Sequence, residues 1–541
     1  MQNSIIKKFI HEAVQANLQS RQDLELVKKS FCRRMNRNNN KLSILSNAQT
    51  REVYAEMLKK GEIKASPQLE NFLVTKKIRT LSGVAIVAVL TKPYPCPGQC
   101  AYCPDEYQMP KSYLSNEPAV MRAISTGFHP YKQVQARLRM LEINGHSTDK
   151  VEMIAMGGTF SHFPASYQKW FIKECFRALN DYPKNLSSKS RSGFLEKEKK
   201  CNEKARHRMI GLTLETRPDY INREEITNFR RLGATRIEIG VQHISDEILK
   251  LNRRGHGAEE TARATKLLKE AGFKISYHLM PGLPGSSPKK DLEMIKKVFS
   301  DQRFQPDLVK IYPCVVTKGS EIEKWWKQGK YKPLTNTQNL ELMKKIKAAI
   351  PPYVRISRLI RDIPEESILA GPSISNLRQL LQQENVKCSC IRCREVKSSF
   401  SSKEKIVLNR IDYPASDGKE VFLEYVSPDK KKLFALLRLR IPSNRNQTVS
   451  FFPALENSAI IRELHTYGKL VSLSQKNAQA PQHMGLGKKL IRKAEQIAGQ
   501  EFDLEKIAVI SGVGVRDYYR KRGYRLKDEY MMKKLKNEIK F

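Results

Sequence analysis

The chain has 541 residues, enough for two or three separately cored domains, and carries a formal net charge of +41 with a sequence pI near 9.8. Such an excess points to a polyanionic partner, nucleic acid first, because each phosphate met by Lys or Arg releases condensed counterions; general basicity for solubility is the plain alternative. No run of roughly 18 apolar residues occurs, which excludes a membrane-spanning helix, and the amphipathic start MQNSIIKKFIHEAVQ shows no signal-peptide cleavage pattern, so a cytoplasmic protein is expected.

In chain order, residues 1–75 read as a basic helical region suited to RNA contact, with the Arg-rich run FCRRMNRNNNK (31–41) as a loop or mobile arm. Residues 76–360 carry six short apolar, β-branched runs at 83–91, 150–158, 208–216, 235–242, 274–282 and 307–315, with helical spacing between most of them. Six such units are too few for a closed eight-fold barrel and predict an open partial (β/α) barrel with a parallel sheet. The Ser- and Lys-rich stretch 184–208 interrupts the rhythm and is expected to be a mobile basic insertion. Residues 361–404 form a connector ending in a Ser-rich joint at 396–405. Residues 405–541 predict a separate mixed α/β domain, with strands at 406–412, 419–427, 433–441, 459–468 and 506–512 and helices at 485–499 and 515–523.

Six of the ten cysteines fall in two tight clusters. In the reducing cytosol, clustered cysteines read as metal ligands rather than disulfides. PYPCPGQCAYCPD (93–105) sets Cys96, Cys100 and Cys103 in Cys-x3-Cys-x2-Cys spacing directly after the first strand. Three thiolates can hold three irons of a 4Fe-4S cluster and leave the fourth free to chelate S-adenosylmethionine (SAM), whose reductive cleavage releases a 5′-deoxyadenosyl radical; a structural zinc site with a remote fourth ligand is the competing reading. Tyr102 is placed to pack beside the cofactor. On these residues, 80–355 resembles the radical-SAM superfamily. The resemblance implies that Gly157 and Gly158, after the second strand, let backbone approach the methionine moiety, and that Glu215, Arg217, Gln242 and Lys310 face the same mouth.

In the connector, CSCIRC places Cys388, Cys390 and Cys393 in a linker with few apolar residues, where zinc would supply folding energy and free thiols are the alternative. No fourth ligand is identifiable.

QHMGLGKKL (482–490) offers Gly485 and Gly487 in a turn whose backbone N–H groups could grip a pyrophosphate at a helix N-terminus, though a plain helix-start loop also fits. The order strand, glycine turn, strand IAVISG and terminal YYRKRGY resembles a GNAT-type acetyltransferase over 405–541. It implies acetyl-CoA contacts from Glu463, Leu464, His465 and Thr466 on the strand and from Leu486, Gly487 and Lys488 in the turn. Tyr519 would approach the thioester sulfur as hydrogen-bond donor or acid, and Tyr518 may belong to the core. His465 and Glu463 are the candidates for a general base.

Together with ETRPDY (215–220), RIEIGVQH (236–243), RELHTYG (462–468) and ISGVGVRDYYRKRGY (510–524), the whole chain resembles the Elongator catalytic subunit family in a stand-alone form working without partner subunits. The departures are Thr466, where valine is expected, and the polar 184–208. The resemblance implies tRNA as partner, uridine-34 of the anticodon stem-loop as target and 5-carboxymethyluridine as product. It also assigns Lys150 an acetyl-CoA contact, making Lys150, His465 and Tyr519 the implied catalytic set. A protein lysine acetyltransferase with a merely structural iron–sulfur cluster is the competing function; a non-catalytic RNA-binding protein is disfavoured by the intact cysteine spacing and glycine turn.

Overall fold

The computed structural model describes residues 2–16, 18–37, 45–74, 83–184, 193–396, 404–442, 452–468 and 485–535. Four amphipathic helices, Gln2–Gln15, Arg21–Arg37, Asn47–Lys59 and Pro67–Leu73, build the N-terminal region. They close over their own small core, in which Phe9, Leu24, Met57 and Leu73 are fully buried. The second helix runs to Arg37, so the expected arm is helical over its first seven residues; Phe31 and Cys32 anchor it in that core and Arg34 pairs with Glu12 of the first helix. Residues 38–41 lie outside the described residues.

The strands are β1 (Ala85–Leu90), β2 (Lys150–Met156), β3 (Arg208–Thr216), β4 (Arg236–Gln242), β5 (Lys274–Leu279), β6 (Leu308–Ile311), a short β7 (Val316–Thr317), β8 (Arg355–Arg358) and β9 (Ile368–Ala370). All six expected strands form, and β8 joins as a seventh in a parallel sheet of order β1-β2-β3-β4-β5-β6-β8, where only six were expected. Four residues, RISR, alternate too briefly to register as a sheet strand in the sequence. Along these strands one set of alternate positions is apolar, as in Val151, Leu212, Ile237, Tyr277 and Val309, and is buried beneath the helices. The other set carries Glu152, Thr213, Glu215, Arg236, Glu238, Ser276, His278 and Lys310, so the inner face of the partial barrel is polar.

The stretch read as a mobile insertion is largely ordered. Residues 185–192 lie outside the described residues, but Leu195–Asn202 is a helix. Asn202 accepts from Met209 N–H (2.7 Å) and donates to the His207 carbonyl, and buried Lys199 donates to the Arg231 carbonyl and to Glu529. Lys199 and Glu203, two of the charged residues that suggested mobility, are held by fixed partners.

The second sheet comprises β10 (Val407–Ala415), β11 (Gly418–Val426), β12 (Leu433–Ile441), β13 (Ser458–Thr466), β14 (Lys506–Val509), β15 (Arg525–Lys527) and β16 (Tyr530–Lys534), in the order β10-β11-β12-β13-β14-β16-β15. Only β13 and β14 are parallel. Between the sheets the connector is anchored by buried Leu377, Leu381 and Ile391, more apolar support than its sequence suggested.

The second sheet packs on the edge of the first where the barrel strands begin. A side chain at Gly512 would overlap the Ile210 carbonyl, and one at Gly514 would come within 2.5 Å of Arg208, so both contacts require glycine. Beside them lies a fully buried ionic cluster. Arg462 of β13 donates to both oxygens of Asp307 (2.8 and 2.5 Å), to Glu420 and to the Phe273 carbonyl (2.6 Å). Lys269, Arg438 and Arg440 surround the same carboxylates. Lys274, at the start of β5, reaches Glu463 at 3.4 Å, and Arg438 reaches it at 2.8 Å.

Removing one member leaves the others charged and dry, which costs roughly 3–5 kcal/mol. Arg462→Met should lose that much in denaturant unfolding, and an unchanged midpoint would show the cluster to be dispensable. Burial alone would raise the Glu463 carboxyl, but Lys274 and then Arg438 hold it down to about 2 from 4.5. Because the folded state binds the proton more weakly, this contribution is full above about pH 4.5 and fades as pH falls toward 2. The cost of Glu463→Gln, on the order of 2 kcal/mol at neutral pH, should therefore shrink between pH 5 and pH 3; a pH-independent cost would contradict the pairing.

Candidate active site

The three-cysteine loop leaves the C-terminal end of β1. Its turn is pinned by Ala101 N–H to the Asn252 carbonyl and by Ile322 N–H to the Ala101 carbonyl, both 3.0 Å. Arg254 donates to Cys100 Sγ at 3.4 Å. The hydrogen bond from the Cys103 thiol, and after it Arg254, lower the Cys100 thiol and favour its thiolate. A side chain at Gly98 would meet the end of the Arg217 guanidinium, whose Nη2 donates to the Arg254 carbonyl at 2.8 Å and whose buried Nη1 has no partner among the described residues. Thiolate, two guanidinium groups and an orphaned N–H form a setting for an anionic, sulfur-rich group.

The two cysteine clusters differ in spread. Sγ atoms of Cys388, Cys390 and Cys393 all lie within 4.8 Å of one another, close enough to share a single ion. Among the described residues Cys96, Cys100 and Cys103 do not form such a group. A tetrahedral zinc holds its sulfurs at about 2.3 Å, so the compact trio suits one metal ion and the wider trio suits a larger cluster.

Gly157 and Gly158 follow β2 with φ of 133° and 98°, and a side chain at Gly157 would overlap Thr91. This opens bare backbone on the same edge as the cysteine loop. On the inner face, Lys310 is ion-paired with Glu238 and lies 3.6 Å from Glu215, which also accepts from the Tyr113 hydroxyl (3.1 Å). His278 Nε2 stands 3.1 Å from Glu238. Of the implied mouth residues, Glu215 and Lys310 are thus brought together, whereas Arg217 instead braces the cysteine loop. Arg254, Glu238, His278 and Tyr113 went unread. The period-2 alternation of polar residues in RIEIGVQ and KISYHL was the available signal for Glu238 and His278; nothing local marked Arg254 or Tyr113.

In the second sheet β13 pairs with β14 only over Ser458–Ile461 and then diverges, leaving Glu463–Thr466 with one sheet neighbour. Gly485 caps the helix Leu486–Gln496 at φ 71°, a left-handed turn favouring glycine. A side chain at Gly487 would meet the Tyr518 hydroxyl at 3.1 Å, Thr466 Oγ1 at 3.6 Å and Leu464 at 3.8 Å. Leu464, Thr466, Gly487 and Tyr518 therefore converge, while Lys488 is exposed and Leu486 is buried. Tyr519 lies in the core between the rings of Tyr518 and Tyr524, and burial pushes its hydroxyl well up. His465 packs on Tyr467, and Glu463 is held by Lys274 and Arg438. Lys150, the first residue of β2, is partly buried, and this desolvation lowers its ammonium pKa. Residues 482–484 of the turn lie outside the described residues.

The radical SAM superfamily model matches residues 94–298 and the Radical_SAM C-terminal domain matches residues 306–387. A tRNA uridine(34) acetyltransferase of Dehalococcoides mccartyi is 47% identical over 471 residues, covering 85% of this chain and 99% of that protein. Elongator complex protein 3 of Homo sapiens is 38% identical over 484 residues, 86% of each. The solved archaeal Methanocaldococcus infernus Elp3 with an N-terminal deletion is 40% identical, with a TM-score of 0.71, covering 84% of this chain and 100% of that one. No helix among the described residues is long and apolar enough to cross a membrane. On this extent and identity the chain belongs to the radical-SAM family of tRNA uridine(34) acetyltransferases and Elongator complex protein 3.

Proposed function

We propose that this radical-SAM enzyme acts on tRNA and builds a carboxymethyl group on C5 of uridine-34 from the acetyl group of acetyl-CoA. The observation that carries the reading is that one buried ionic junction joins the barrel bearing the three-cysteine loop to the sheet whose diverging strand β13 faces the glycine turn. When bound, a 4Fe-4S cluster with SAM supplies a 5′-deoxyadenosyl radical able to take hydrogen from an acetyl methyl group.

Cys96, Cys100 and Cys103 would hold the cluster, with Arg254 donating to Cys100 Sγ. Gly157 and Gly158 present open backbone to SAM. Leu464, Thr466 and Gly487 line the groove for the pantetheine arm and pyrophosphate, with Glu463 and His465 on the same strand and Lys150 at the barrel edge. The Tyr518 hydroxyl stands at the turn and Tyr519 supports it from the core. Glu463 stays ionised and double-paired, so it orients the strand instead of accepting protons, which removes the best carboxylate base from the lysine-acetyltransferase reading. Cys388, Cys390 and Cys393 would hold a structural zinc that stiffens the connector. The net charge of +41 serves the RNA backbone.

After anaerobic reconstitution with SAM and acetyl-CoA, nucleoside mass spectrometry of the tRNA should show 5-carboxymethyluridine. Alanine at Cys96, Cys100 and Cys103 should abolish iron binding and product while acetyl-CoA binding persists; full iron in that variant would refute the cluster assignment. Gly487→Asp places a carboxylate against Tyr518 and the expected pyrophosphate, and should weaken acetyl-CoA by about 100-fold or more with iron content intact. Product formed at the normal rate by that variant would mean that the two carbons come from elsewhere. Replacing Cys388 and Cys390 by Ser should release zinc without touching iron; unchanged zinc would end the connector assignment.

A further inference from the structure

A cavity of about 750 Å³ lies where the N-terminal helices meet the starts of β2 and β3. Arg51, Lys204, Arg206 and Arg208 line it, against Glu142 and Asp149. Glu142 accepts from the Thr148 and Tyr182 hydroxyls, and Asp149 accepts from Ser147 among its partners. Among the described residues none of the four cations is in an ion pair; Arg51 and Arg208 donate only to the Glu70 and Ala205 carbonyls. Four cations thus face two carboxylates, which leaves the space a net positive charge, the electrostatic form of a phosphate site.

Its position says which phosphate. Glu203, next to Lys204 in the cavity wall, holds Arg520 (2.6 Å) and Arg516 (3.3 Å) of the C-terminal domain. The same short helix carries Tyr518, whose hydroxyl touches the glycine turn. Asp149 precedes Lys150, and the backbone of Arg208 abuts Gly514. The cavity therefore borders the C-terminal domain through Glu203 and Arg208. We propose that this cavity receives the 3′-phosphate end of the acyl donor, with Lys204, Arg206 and Arg208 as the binding cations. The inference rests on the reading of the C-terminal domain as an acetyl-CoA site.

Lys204 and Arg206 are exposed and can be reversed without disturbing the core. Lys204→Glu and Arg206→Glu should each weaken acetyl-CoA about 10-fold, measured by calorimetry, while leaving 3′-dephospho-acetyl-CoA affinity unchanged. The wild type should prefer the phosphorylated donor by a similar or larger factor, and Arg206→Lys should restore most of the loss. Equal binding of the two donors by the wild type, or equal weakening of both by the variants, overturns the proposal. If the variants instead lose anticodon stem-loop affinity with donor binding intact, the cavity serves the RNA backbone and the proposal falls. A wild type that binds neither donor overturns both this inference and the acetyl-CoA reading, whereas equal donor binding overturns this inference alone.

Discussion

The Arg462 guanidinium, buried between Asp307 of the barrel and Glu420 of the second sheet, sets the relation between the two halves of the enzyme. Three further cations and two carboxylates in the dark would be a poor choice for stability alone, since well-packed apolar residues commonly do as well. What such a cluster provides is directionality. Apolar surfaces slide past one another, while a bidentate guanidinium fits one register. Arg462 also sits immediately before Glu463, so the register it fixes is carried into the stretch of β13 that lies open beyond its pairing with β14.

From that junction a line of charge continues into the barrel. Glu463 meets Lys274; Arg236 pairs with Glu152; Glu238 gathers Arg236, His278 and Lys310; and Lys310 borders Glu215 near the mouth. Each carboxylate in it has a cationic neighbour, which satisfies the requirement that a buried charge be partnered. The inner face is thereby kept polar and ordered, while the outer face alone supplies the apolar core. A barrel filled with Val and Leu would be more conventional packing, but it would leave no ionisable groups between the edge that bears the thiolate loop and the edge that bears the second sheet.

Much of this was legible in the sequence because it is written in short-range signals. The six barrel strands, the five expected strands of the second sheet and the helix after Gly485 follow from period-2 and period-3.6 patterns, and both cysteine clusters from spacing. The misreadings share a cause. Strand β8 is four residues long, and the 195–208 segment is charged but buried, because Lys199, Asn202 and Glu203 find partners in Arg231, Met209 and Arg516. Composition records charge and says nothing of whether a partner waits hundreds of residues away. The same limit hid Arg254, whose bond to Cys100 spans 154 positions, and the Asp307–Arg462 pair, which spans 155.

On the proposed function, the arrangement also constrains what kind of acetyl chemistry the second domain would do. Acetyl transfer to an amine needs a base free to take a proton near neutral pH. Glu463, the carboxylate best placed by sequence order, is held by Lys274 and Arg438 far below that range. Its partner Lys274 belongs to the barrel and Arg438 to the neighbouring strand β12, so the carboxylate is tied both to its own sheet and across the domain junction. A domain evolved for lysine acetylation has no reason to tie its candidate base to a neighbouring sheet. The proposed presentation of an acetyl group to chemistry in the barrel would use such a tie, because the ion pair with Lys274 holds the strand against the barrel edge.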